Sequence, residues 1–288
     1  MTGTLNDLFG LLIFVTVALT ALSIGLVTSR ELLGSALRHR RVVVVVGLNC
    51  VFVPLAAYLL VTALPLTRGS GTGVLVCAIC AGGPLALKAT QIARGDISWS
   101  LSLTVMLLVL NVLTLPLWTW LLVDKSMTLH FGDLVRVLGV AIVIPVAAGM
   151  AIRSRVADVD RWFKLLTLLS NVGLGLAVAV GLAANAGDLV RSFSLWQFLA
   201  VLAVIAVSAA GAWLVRDDLG RRQASTFSTL NRATSVALLI VGRAFSDQPE
   251  VFTAAVLFAL TQTVIALGLA LYWGVVTSRS TASAPATG

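Results

Sequence analysis

Charge is scarce in this chain, and in the middle of its apolar runs negative charge is missing altogether. Asp, Glu, Lys and Arg make up 11% of the 288 residues, against 59% hydrophobic ones, whereas a soluble globule carries about 25% charged residues. That excludes a soluble fold and reads as an all-α polytopic membrane protein. The 12 carboxylates, from Asp7 to Glu250, all fall between apolar runs or at their ends, and so do the two histidines, His39 and His130. A membrane-embedded enzyme needs an intramembrane His, Asp or Glu as base or metal ligand. Enzymatic activity, a metal centre and a cofactor are therefore not expected. Cysteine is sparse as well: Cys50, Cys77 and Cys80 all sit within apolar runs, and an odd number of buried thiols makes no disulfide framework. The Cys77-x-x-Cys80 spacing has no second ligand pair to complete a metal site, so it reads as packing. Met1 to Asn6 carries no basic residue and the first apolar run is too long for a cleaved leader, which makes it a retained span.

What is abundant is long hydrophobic runs. A span needs roughly 20 mostly apolar residues, and nine such stretches are expected, at about 5–28, 41–64, 72–91, 97–123, 132–152, 163–186, 194–215, 224–245 and 250–276. The net charge of +8 raises nucleic acid as a partner, but the basic residues lie in short connections, as topology signals do. Nucleic-acid binding is not expected. Taken alternately, the connections put thirteen basic residues on one side, from Arg30 to Arg279, and five on the other: Arg68, Lys125, Arg136, Arg191 and Arg243. The positive-inside rule then predicts a multi-pass protein of the plasma or inner membrane, N-terminus outside and C-terminus cytoplasmic. Residues 280–288, small and polar, read as a disordered tail.

Two stretches stand out. Cys77 to Asp96 contains a Gly82-Gly83-Pro84 break and a lysine, Lys88, inside an apolar run, and Ser225 to Phe245 contains Arg232. A helix in lipid satisfies its backbone internally, so an interruption is tolerated only where the freed groups face protein or a water-filled cavity. Interrupted spans at corresponding places in two halves of a chain point to a transporter's binding site. Each cation also has a structural reading. Lys88 is six residues from Arg94, about 9 Å along a helix, and could snorkel to the surface. Arg232 is deeper, and its alternative is to hydrogen-bond exposed carbonyls of the broken partner helix.

The run Gly82-Gly83, Thr90, Ala93-Arg94-Gly95-Asp96, Ser100 and Thr104, with Pro54 and Pro116 in flanking spans, resembles the bile acid:sodium symporter family. The likeness extends over nearly the whole chain. It implies inverted repeats and two discontinuous helices crossing near the midplane. It also implies a panel domain (5–28 and 132–186) that rocks against a core domain (41–123 and 194–276). Asn49, Ser100 and Thr104 keep polar side chains at the family's ion-site positions. Ala86 and Leu87 stand where it has Ser and Asn, Ser228 at its acidic ligand, and Arg232 at a glutamine, while Asn231 could fill the amide role.

A fixed cation beside a sodium site repels sodium. The reading is therefore a secondary carrier of a small or amphipathic organic anion, a carboxylate or sulfonate, working by alternating access without sodium, with Lys88 and Arg232 in place of bound cations. Arg232 is the principal expected substrate contact, supported by Lys88, Asn231, Thr90, Gly82, Gly83 and Pro84. The alternatives are the family's sodium-coupled symport and a channel or nontransporting sensor. The expected partners are the anion and the lipid bilayer, and a homo-oligomer is compatible with the chain.

Overall fold

The structure is a computed structural model that describes residues 2–29, 31, 34, 39–123, 131–155, 158–184, 194–245 and 248–282. In chain order the helices are α1 (Thr2–Val27), α2 (Arg40–Ala63), a short pair α3 (Arg68–Ile79) and α4 (Leu85–Ile92), then α5 (Ile97–Leu122), α6 (Gly132–Arg155), α7 (Val159–Ala184) and α8 (Leu195–Trp213). A second short pair, α9 (Leu219–Leu230) and α10 (Thr234–Ala244), precedes α11 (Pro249–Ala282). Among the described residues there is no strand, and seven helices are long and apolar enough to cross a membrane. The chain is a polytopic membrane protein. The runs expected as single spans at 72–91 and 224–245 are instead the two short pairs. Helix α7 begins four residues before the expected 163, because the Asp158 carboxylate accepts the Arg161 backbone N–H at 3.0 Å and starts it early. Helix α11 continues to Ala282, past the expected start of a tail, since no proline or glycine intervenes there; residues 283–288 lie outside the described ones.

Local chemistry sets the irregularities. In α2 a π turn, Leu48–Phe52, immediately precedes Pro54, whose ring has no N–H and crowds the carbonyl four residues back. That carbonyl, of Cys50, accepts a hydrogen bond from the Trp118 indole of α5 instead. Helix α6 repeats the arrangement, with a π turn at Gly139–Val143 before Pro145. Asp96 starts α5 by accepting the Trp99 N–H at 2.9 Å, and Thr67 starts α3 by accepting that of Ser70 at 3.2 Å.

The two breaks meet at the centre. Between α3 and α4 the chain extends at Cys80 and turns through Gly82, which has φ +80°; between α9 and α10 it extends at Asn231. The Gly83 N–H donates to the Asn231 carbonyl (3.1 Å) and the Ala233 N–H to the Cys80 carbonyl (2.8 Å), so each break hydrogen-bonds the other. A Cβ on Gly83 would sit 2.5 Å from the Arg232 carbonyl oxygen, which is why glycine is needed there. Two side-chain amides complete the pairing. Asn111 of α5 accepts the Ala81 N–H and donates to the Ala81 carbonyl, and Gln262 of α11 does the same for Arg232 at 3.0 and 3.1 Å. In each case amide and peptide are 30 residues apart. With these bonds buried backbone groups at the breaks gain partners that lipid could not supply.

Around the crossing, α1 packs on α6, α7 and α10, α3 packs on α11, and α9 packs on α8 and α5. At the end of the bundle where α4 meets α5, Arg221 lies over the Trp99 ring (5.3 Å) and near Asp96 (3.5 Å), Asp218 (3.6 Å) and Asp217 (3.9 Å). Arg41 also pairs with Asp217. Burial would raise the Asp217 carboxyl, but hydrogen bonds from Asp218 and the two arginines outweigh it and hold the group below its ordinary range.

Candidate functional site

The crossing concentrates polar atoms that lack partners. Arg232 is 1% exposed and is the largest fully buried side chain among the described residues. None of its three guanidinium nitrogens has a hydrogen-bond partner there. Both amide atoms of Asn231, the Ser228 Oγ and the Asn49 Oδ1 are likewise buried and unpaired, whereas the Asn49 Nδ2 donates to the Thr229 Oγ1 and the Val45 carbonyl, both at 2.9 Å. An unpaired intramembrane cation is expensive, so the crossing has the potential of a site for negative charge.

Below the crossing a cavity of about 380 Å³ opens between α1 and α7 on one wall and the α4–α5 segment on the other. The α1–α7 wall presents Thr20, Ser23, Thr167, Ser170 and Asn171; the facing wall presents Pro84, Leu87, Lys88 and Gln91. Lys88 is exposed, Thr20 and Ser170 share a hydrogen bond, and the buried Thr167 hydroxyl has no partner among the described residues. Lys164 and Asp160 of α7 line the cavity as well. An ammonium opposite a band of hydroxyls and amides suits an anionic head group on a polar body.

The expected site residues separate into two groups. Lys88, Pro84 and Leu87 line the cavity. Arg232 and Asn231 belong to the second break and Gly82 and Gly83 to the first, behind the cavity wall. Thr90 is fully buried and donates to the Ser100 Oγ at 3.1 Å, while the Thr104 hydroxyl donates to the Ser100 carbonyl at 2.8 Å, so these three form one polar cluster linking α4 to α5. Asn49, Ser228 and Ala86 are buried around the crossing. Arg232, expected as the principal substrate contact, is fully buried and does not line this cavity, whereas Lys88 and Lys164 both do. Sequence reasoning missed the α1–α7 hydroxyls. Their signal was spacing: 16, 20 and 23 in α1, and 167, 170 and 171 in α7, each follow a helical face inside an otherwise apolar helix.

The profile of the Sodium Bile acid symporter family matches residues 12–192. The chain belongs to that family. The matched stretch runs from α1 past α7 and includes the first break and Lys88. Over 177 residues the chain is 32% identical to "Sodium/bile acid cotransporter 4" of Homo sapiens, covering 56% of this chain and 40% of the relative. It is 31% identical over 181 residues to a "Sodium-dependent organic anion transporter" of Rattus norvegicus, covering 59% of this chain and 46% of that one. The match therefore spans less than half the length of each relative. Within the symporter family's matched region, the cavity wall built by α4, α5, α1 and α7 is complete.

Proposed function

We propose that this family member is a secondary carrier of a compact organic anion, a carboxylate or sulfonate, and that it works by alternating access without sodium. The observation that carries this is Lys88, an exposed cation in a cavity walled by hydroxyls, with Lys164 a second cation on the same lining against one carboxylate, Asp160, and with the Arg232 guanidinium buried and unpaired at the crossing. Lys88 takes the anion's charge, and the hydroxyl band on α1 and α7 takes its polar body. Arg232 is a fixed charge at the crossing and meets the anion when the breaks separate from the α1–α7 wall.

The names of the relatives support an organic anion as cargo. Sodium independence is supported by the side chains at the ion-site positions, where Ala86 and Leu87 offer no oxygen and a guanidinium sits nearby. We also infer nine spans, counting each short pair as one, with the N-terminus outside. The two amide clamps with the same 30-residue separation support inverted repeats. The packing of α1 on α6 and α7 supports a panel of 5–28 and 132–186 that rocks on a core of 41–123 and 194–276.

A second reading, sodium-coupled symport, is favoured by one feature: the oxygens of Asn49, Ser228 and Asn231 are buried and unpaired, as a cation's ligands would be. A thermal-shift panel of small carboxylates and sulfonates, each run in sodium and in choline buffer, tests both. Stabilisation by an anion in both buffers supports the first reading, stabilisation only in sodium supports the second, and no stabilisation by any anion removes both.

A further inference from the structure

A second groove lies on the outer face of α1, α6 and α7, with a volume of about 660 Å³. Its floor is Leu22 and Leu26 of α1 against Gly149 of α6, where an added Cβ would stand 2.5 Å from the Leu22 carbonyl oxygen. That close backbone approach leaves a trough above the small residue instead of a filled seam. Ile152, Leu165 and Trp162 form the walls and remain 45%, 43% and 50% exposed, so the trough opens to the surroundings of the bundle.

The rim is basic. Arg155 and Arg161 both reach it and are exposed, and among the described residues neither side chain has an ion-pair partner. The neighbouring polar groups are committed elsewhere. Arg153 donates to the carbonyls of Leu26 and Val27 at the end of α1, and Asp158, the one carboxylate on this rim, caps the start of α7. Two free guanidiniums therefore stand over an apolar trough at the basic end of the bundle, beside a tryptophan of the kind that sits at headgroup level.

We propose that this groove is a binding site for an anionic phospholipid, its phosphate held between Arg155 and Arg161 and an acyl chain along Leu22, Leu26, Ile152 and Leu165. A soluble anion would use the rim alone. A lipid uses the rim and the trough together, and basic pockets between spans at the anionic leaflet are where such headgroups bind. The lipid would brace α1 against α6 and α7 from outside, on the face of α1 away from Lys88. The site rests on the membrane assignment and is independent of the transported substrate.

The test uses the purified full chain in neutral detergent, titrated with dioleoyl phosphatidylglycerol or dioleoyl phosphatidylcholine. Native mass spectrometry reads the lipid retained, and a diazirine-bearing acyl chain maps it. Two arginines at about 1 kcal/mol each predict on the order of a 30-fold preference for phosphatidylglycerol, and the Arg155→Gln/Arg161→Gln pair removes it. The crosslinks should fall on peptides carrying Leu22 and Leu26 and on those spanning 149–166. Equal retention of the two lipids, or crosslinks spread evenly over the chain, overturns the proposal without any variant being made. Competition by free glycerol phosphate at concentrations matching the lipid assigns the rim to a soluble anion and overturns it too.

Discussion

Lys88 and Arg232 are both intramembrane cations, yet their surroundings give them separate tasks. Lys88 is exposed in the cavity opposite Thr20 and Ser170, so under the proposed function Lys88→Gln removes a charged contact to substrate and nothing that holds the fold. A hydrogen bond to a charged group contributes about 1.5–3 kcal/mol. Anion affinity should fall roughly 10- to 100-fold with the melting temperature unchanged, as measured by binding and thermal unfolding of the same preparation; unchanged affinity would make Lys88 a surface lysine. Arg232 is sealed and unpaired. Replacing such a buried charge by a neutral side chain of similar length relieves a cost of several kcal/mol. Arg232→Gln should therefore unfold at the same or a higher temperature while losing uptake, and Arg232→Lys should keep more of it. An Arg232→Gln protein that carries anions at the parent's rate would show the arginine to be structural.

At the scale of the elements, the two amide clamps hold the breaks. Asn111→Ala or Gln262→Ala leaves the N–H and carbonyl of Ala81 or Arg232 buried without their partners, a loss of about 1–3 kcal/mol for each group left unsatisfied. Either variant should melt well below the parent, whereas Ala at the neighbouring exposed Val264 should not. A second local prediction concerns the end of α4, where Arg94 has φ +59°. That left-handed position favours glycine, so Arg94→Gly should raise stability by about 1 kcal/mol in thermal unfolding, and a lower melting temperature would show that the arginine is held there for its side chain. The first break was legible in the sequence because Gly82-Gly83-Pro84 cannot continue a helix. The second has neither glycine nor proline at Asn231–Ala233. It is stabilised by Gln262 and the Cys80 carbonyl, contacts made only in the folded chain, so Arg232 was its one visible mark. For the same reason composition and length disclosed the long helices, while the hydroxyl wall emerged only once α1 was paired with α7.

For the whole molecule, the proposed function turns on fixed cations, Lys88 and Arg232, taking the place of bound ones. On that proposal alternating access would require no sodium gradient, because the positive charges that balance the anion would be carried by the protein itself. The claim depends on the crossing, the cavity and the α1–α7 wall acting together, so no single substitution tests it as directly as the ionic medium does. The decisive measurement is initial uptake into proteoliposomes of whichever small anion most stabilises the purified protein, in sodium and in choline media. Equal rates within about twofold are expected, since a cation site already holding positive charge gains nothing from sodium. A rate that falls tenfold or more when sodium is withdrawn would contradict the account, and would assign the unpaired oxygens of Asn49, Ser228 and Asn231 to a bound cation instead.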